Sequence, residues 1–173
     1  RSPDTVYSGQ LYGGVTKSTD GGVSWKPANA GFSSMVVYDL AAPPSQPGTL
    51  YAGTRQGVYK TSDAGKTWTG SLLNLVVRDV MTGLTDNTAL YLGTDTGIFR
   101  SPDSGLGWGY NASLQDLNVL SLAMHPAAPL TIYAATETQS YDANGNLSEQ
   151  KDGENHPTTL TYDGFDRQTR ATD

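Results

Sequence analysis

The chain contains no cysteine in its 173 residues. That removes disulfide frameworks, thiolate nucleophiles and Cys-ligated zinc together, and leaves the compartment open. Histidine is nearly as scarce. His125 and His156 have no acidic residue at ligand spacing, so each reads as a turn residue before Pro126 or Pro157 and not as a metal ligand or general base. Ser-His-Asp catalysis fails for the same reason, since neither histidine sits in a motif that would orient it. No run approaches the roughly 18 apolar residues of a membrane helix. The start at Arg1 carries no charged, then apolar, then small-residue leader, so the chain reads as mature or trimmed protein without membrane insertion. Basic clusters are missing too. The net charge is −6, and residues 136–173 hold 3 Lys+Arg against 8 Asp+Glu, whereas residues 1–135 hold 8 against 9. Nucleic acid and anionic membrane surfaces, which need clustered Lys and Arg, are therefore not expected partners.

What the sequence has is repetition. The strings TVYSG, TLYAG, ALYLG and TIYAA place Tyr7, Tyr51, Tyr91 and Tyr133 at intervals of 44, 40 and 42 residues, a period that suits four strands. A second segment follows in three units: GVTKSTDGGVSW, GVYKTSDAGKTW and GIFRSPDSGLGW. In them Asp20, Asp63 and Asp103 each stand five residues before Trp25, Trp68 and Trp108. Val37, Val77 and Val119 lie 14 residues before the next Tyr, and Leu40, Val80 and Leu122 lie 11 before it, which marks an inner strand. Alternation in VYDLA and VLSLA, with Gly, Pro, Asn and Asp punctuation and no sustained helical period, predicts strands throughout. Length variation is confined mostly to the gap between each Trp and the following Val, where a connecting loop absorbs it.

In Ser18-x-Asp20-x-Gly22-x-Ser24-Trp25 the carboxylate can accept N–H groups of its own turn. Gly22 permits positive φ, and Trp25 is expected to cover the hairpin with its apolar face. Thr61, Asp63, Gly65, Thr67 and Trp68 keep every element. Ser101, Asp103, Gly105 and Trp108 lose only the hydroxyl before Trp, where Gly107 stands.

These residues resemble the Asp-box, or BNR, repeat of the β-propellers of sialidases, sortilin, xyloglucanases and a photosystem II assembly factor, over residues 5 to about 136. The resemblance implies a box on the outer hairpin of each blade, away from any central site. Nothing marks Arg55, Arg78 or Arg100 as the arginine triad that sialidases require. Asp39 and Asp79 occupy equivalent inner-strand positions, as a xyloglucanase-like pair would, but the third unit has Ser121 there; a repeated Asp is more often a turn partner at a strand edge.

After Ala135 the pattern changes. Tyr141-Asp142 and Tyr162-Asp163 recur 21 residues apart, and YDANGNL and YDGFDRQT resemble the YD, or Rhs, repeat. The first copy has Asn146 for the family's Arg, and the second has Asp166 for its Gly. Asn144-Gly145 is a strong hairpin turn and Thr158–Tyr162 alternates like a strand. In Tc toxin shells and teneurins such repeats wind into a β-cocoon, so the order here resembles a propeller-to-shell junction. The family's self-cleavage motif and toxin cargo are absent. The fourth blade is expected to abort at the switch, and the Gly, Asn and charge content of residues 137–173 is compatible with disorder. Asp142-x-Asn144-x-Asn146 has Leu147 where a calcium loop needs Gly, so calcium by that route is not expected. The sequons at Asn111 and Asn146 are weak signals.

The sequence therefore predicts an all-β chain. It consists of a partial β-propeller of about three four-stranded Asp-box blades over residues 1–136, with units near 5–34, 35–75 and 76–117 and a partial unit at 118–136. A YD-repeat β-hairpin segment covers residues 137–173. The expected role is noncatalytic binding or scaffolding of a protein or glycan through blade loops, without cofactor or metal, at a bacterial surface or outside the cell. Tyr38, Tyr59, Tyr110, Arg55, Asp39 and Asp79 are the contact candidates; Tyr7, Tyr51, Tyr91 and Tyr133 read as inter-sheet packing. Two rivals are a fragment of a propeller glycoside hydrolase with Asp39 and Asp79 facing the channel, and an architectural module that closes its ring with a second copy.

Overall fold

Short runs of β-branched and aromatic residues, punctuated every few positions by Gly, Asn, Asp or Pro, leave no room for helices and fold instead as successive antiparallel meanders. The computed structural model describes residues 4–83, 88–110, 117–141, 147–151, 157–162 and 168–172. The sequons at Asn111 and Asn146, the Asn144-Gly145 turn, Asp142 and His156 lie outside the described residues.

The first sheet has three strands, β1 (Val6–Gln10), β2 (Gly14–Ser18) and β3 (Lys26–Pro27), in that order. The second has four: β4 (Val37–Ala41), β5 (Leu50–Thr54), β6 (Gly57–Thr61) and β7 (Thr69–Ser71). The third repeats this with β8 (Val77–Thr82), β9 (Leu90–Thr94), β10 (Gly97–Ser101) and β11 (Gly109–Tyr110). The fourth has five: β12 (Asn118–His125), β13 (Ala128–Tyr141), β14 (Leu147–Lys151), β15 (Pro157–Tyr162) and β16 (Gln168–Thr172). The inner strands β4, β8 and β12 follow one another from sheet to sheet.

The sequence places the end of the fourth unit after TIYAA, with the strand itself breaking there. Thr136–Ser140 contains neither Gly nor Pro, so β13 runs on without a break. Its partner changes from β12, paired as far as Glu137, to β14, paired from Thr138. Up to Glu137, β13 thus pairs with β12 alone, and the C-terminal strands join it only through its second half.

Apolar burial is divided into slabs, each between consecutive sheets. Val15 of the first sheet packs with Val37, Leu50, Ala52, Tyr59 and Trp68 of the second. Tyr51 and Val58 of the second pack with Val77, Val80, Leu90 and Leu92 of the third. Ala89, Tyr91 and Ile98 of the third meet Val119 and Leu122 of the fourth. At about 1.5–3 kcal/mol for each large apolar side chain removed from water, these slabs hold the sheets together.

The aromatic residues do more than the sequence suggested, with one exception. Trp68 and Trp108 lie beside the glycines of their own turns, and each indole N–H also reaches back to the preceding sheet region, Trp68 to the Ala28 carbonyl at 2.8 Å and Trp108 to the Ser71 hydroxyl at 3.2 Å. Trp25 has no preceding sheet among the described residues, donates to its own Gly22 carbonyl at 3.0 Å and stays 42 % exposed, against 4 % for Trp68. Tyr7, Tyr51 and Tyr91 are inter-sheet residues, but Tyr133 at the same position is 58 % exposed, because no further sheet covers that face of β13 among the described residues.

Trp68→Ala should therefore lower the unfolding free energy by about 3–5 kcal/mol, and Trp25→Ala by much less, in urea titrations followed by circular dichroism. Equal losses would show that Trp68 gains nothing from the sheet before it.

Candidate functional site: the inter-sheet turns and the loop face

Each acidic turn is assembled from its own hydroxyls and carboxylate. Ser18 donates to Asp20 at 2.7 Å and accepts the Gly22 amide at 2.9 Å, while Asp20 accepts the Ser24 amide at 2.9 Å and the Ser24 hydroxyl at 2.6 Å. Thr61, Asp63, Gly65 and Thr67 reproduce all four bonds. Ser101, Asp103 and Gly105 keep the first two; with Gly107 lacking a hydroxyl, Asp103 instead takes the amides of Leu106 and Gly107 at 3.1 and 2.8 Å. Hydrogen bonds to the charged form lower a carboxyl's pKa. The Ser24 hydroxyl and amide bring Asp20 down to about 2. Thr67, through its hydroxyl and amide, lowers Asp63 likewise, and the Gly107 amide, then Ser101, lowers Asp103, both below the usual carboxylate range.

The residue after each aspartate is left-handed: Gly21 at φ 71°, Ala64 at 59° and Ser104 at 61°. This turns its carbonyl toward the sheet before it. Tyr7 and Lys17 both donate to Ala64 O, at 2.9 and 3.0 Å, and Tyr51 and Lys60 both donate to Ser104 O, at 3.2 and 3.0 Å. Each ammonium also lies 5.5 Å from its tyrosine ring centroid. In the third sheet Arg100 replaces lysine over Tyr91 at 5.8 Å and bonds its hydroxyl at 3.3 Å, with no such carbonyl facing them among the described residues. The spacing of Asp and Trp announced the turn; the clasp was missed, although Lys17, Lys60 and Arg100 all follow the repeated Tyr by nine or ten residues.

The inner-strand carboxylates are clasps too. Bulges between Val37 and Asp39 and between Val77 and Asp79 insert one residue. Asp39 then accepts the Val80 amide of the next sheet at 2.9 Å, and Asp79 accepts the Leu122 amide at 2.8 Å. Burial raises the pKa of Asp39, opposed by the Val80 and Leu40 amides, with the Asp79 charge adding to the rise.

The bulge residues Tyr38 and Arg78, with the loops ahead of β4 and β8, gather on one face. Arg78 lies 5.7 Å over the Tyr38 ring and donates to Asn118 at 2.9 Å; Asn118 in turn donates to Glu137 at 2.9 Å. The Arg55-Gln56 and Asp95-Thr96 turns stand on this face, since the Arg55 and Asp95 amides bond to Val36 and Val76 carbonyls. Arg55 is exposed there. Tyr110 is partly exposed, with its hydroxyl donating to Thr96 O at 2.9 Å. Tyr59 is not a contact residue: it is 2 % exposed, stacked on Phe32 at 4.6 Å and bonded to the Ser33 hydroxyl. Leu11, Tyr12, Met35 and Leu73, which the sequence did not single out, are exposed apolar side chains of the same turns and loops. No cluster of three or more His, Cys, Asp or Glu suited to a metal occurs among the described residues.

The RHS Repeat family model matches residues 141–173. Curated proteins offer no match to the chain. Among solved structures it is similar to an ancestral GH74 enzyme, at 14 % identity and TM-score 0.68 over 96 % of this chain and 29 % of that one. It is similar to the extracellular domain of a one component system from B. thetaiotaomicron, at 16 % identity and TM-score 0.63 over 98 % and 22 %. YCF48 bound to D1 peptide matches at 14 % identity and TM-score 0.55 over 97 % and 64 %. Identities this low speak for fold alone: the chain is all-β with the propeller architecture, and it spans less than a third of the first two proteins.

Asp39→Asn, which keeps an acceptor for Val80, should leave stability nearly unchanged, and Asp39→Ala should cost about 1–3 kcal/mol in denaturant titration. The turn carboxylates titrate below their unfolded value of about 3.9, so their contribution is complete above that pH. It is lost as pH falls toward the value of about 2 held by Asp20. Acid unfolding followed by tryptophan fluorescence should show the loss in that window, and Ser24→Ala should move its onset to higher pH.

Proposed function

We propose that this chain is a noncatalytic binding or scaffolding segment of a β-propeller whose repeated acidic turns are Asp-boxes. In this reading it belongs to a larger secreted or surface protein that continues into RHS repeats. Its contacts with protein or glycan are made by the loop face carrying Tyr12, Met35, Tyr38 and Leu73. The observation that carries the reading is the engagement of the inner-strand carboxylates. A hydrolytic pair needs one carboxylic acid free to protonate a leaving group and one carboxylate free to attack or activate water. Asp39 and Asp79 each commit one oxygen to an amide of the next sheet, a structural task that accounts for a carboxylate at that repeated position. The exposed apolar side chains of these loops supply contact area of the kind a recognition surface uses. The junction within β13 supports the link to an RHS continuation, because one strand serves both parts.

The test is a panel of purified surface polysaccharides and xyloglucan. The reading expects saturable binding without release of reducing ends, and loss of that binding by about tenfold or more, roughly 1.4 kcal/mol, in Tyr12→Ala/Met35→Ala/Leu73→Ala. Release of reducing ends that Asp39→Asn/Asp79→Asn abolishes would establish a hydrolase fragment instead.

A further inference from the structure

Three of the chain's five lysines meet around one cleft. Lys17 and Lys26 reach it from the first sheet and Lys66 from the acidic turn of the second, and the space they surround beside β3 is about 510 Å³. Among the described residues no carboxylate lines it, in a chain whose net charge is −6. The turn carboxylates nearby, Asp20 and Asp63, are held by the hydroxyls and amides of their own loops.

The fold does not require this concentration of charge. In the β2–β3 ladder Lys17 stands directly opposite Lys26, and like charges facing each other across a ladder are destabilising. At the same register the second sheet sets Lys60 opposite Thr69 and the third sets Arg100 opposite Gly109. Lys66 occupies the turn position that holds Val23 and Leu106 in the other two copies. The corresponding cleft between the second and third sheets, about 280 Å³, has Lys60 as its one charged lining residue and Leu106 and Trp108 on its wall. The clasp on Ala64 O accounts for Lys17. It leaves Lys26 and Lys66 without a task, since neither ammonium has a hydrogen bond or ion pair among the described residues. We infer that this cleft binds an anionic sugar unit, one carrying a carboxylate or a sulfate, within an acidic polysaccharide.

The donors suit that ligand. Lys17 gives one N–H to Ala64 O and keeps two, while Lys26 and Lys66 each offer three. Thr19 and Asn29, on the same wall, supply a hydroxyl and an amide for ring hydroxyls, and Ala28 and Gly65 are small enough to leave depth for a ring. The volume lies within the roughly 300–1,000 Å³ of small-molecule sites and exceeds what a bare inorganic anion fills. A peptide added as a strand is disfavoured, because β3 is two residues long and Pro27 has no N–H to offer. None of Tyr12, Met35, Tyr38 and Leu73 lines the cleft, so the inference goes beyond the loop-face reading and does not rest on it.

The experiment is calorimetric titration of the intact chain, at low ionic strength, with tetrasaccharides of galacturonic acid, of sulfated galactan and of neutral galactan. Saturable binding of an anionic probe is expected, with none of the neutral one, and the probe that binds identifies the charged group. Lys26→Gln/Lys66→Gln should weaken that binding about tenfold or more, and Lys26→Arg/Lys66→Arg, which keeps the charge, should retain most of it. The Gln variant should melt no lower than the parent, since it removes a like-charged pair, which separates loss of binding from loss of fold. The inference is overturned if neither anionic probe binds, if the Gln variant binds undiminished, or if polyglutamate of equal charge binds as tightly. Loss of binding in Tyr12→Ala/Met35→Ala/Leu73→Ala would also overturn it, by moving the site to the loop face.

Discussion

A left-handed residue after each turn aspartate points its carbonyl out of its own sheet, and the registration of one sheet on the next hangs from that oxygen. For Ala64 and Ser104 the conformation costs roughly 1–2 kcal/mol relative to glycine. Two donors converge on each oxygen, one phenolic and one ammonium, and the ammonium bond is charge-assisted. The aspartate beneath does not touch the neighbouring sheet. It shapes the loop that presents the carbonyl, and the hydroxyls before and after it keep the carboxylate ionised.

Polar groups near the axis obey the same logic. Each inner strand bulges after its valine, which re-aims the next side chain toward the following sheet. Aspartates that in sequence resemble a paired catalytic device are, in the folded chain, acceptors for amides that would otherwise lack a partner at a sheet-to-sheet seam. Removing such an amide from water without a partner is costly, which is reason enough for a carboxylate there.

Much of this was legible in the sequence, because strand period, turn chemistry and the Asp-to-Trp spacing are local properties. Which sheet a side chain meets is not local. Trp68 was read as a lid on its own hairpin, yet its indole bonds Ala28, forty residues earlier. Tyr59 stood apart from the tyrosines that recur at one strand position, but both faces of the second sheet are covered, so both sets of side chains are buried. Tyr133 carries the family spacing and is exposed, since spacing describes its own sheet and says nothing of the next. The continuation of β13 itself was hidden by a change of motif at Ala135 that leaves the backbone's strand propensity intact.

Because β13 exchanges partners between Glu137 and Thr138 without an intervening turn, the chain passes from the propeller-like sheets to the segment matched by the RHS Repeat model with no linker in between. A flexible tether would absorb tension by straightening. Here tension applied along the strand would load the ladders to β12 and β14 in shear, many bonds at once, and the junction would behave as a mechanical splice that passes force and orientation from one architecture to the other.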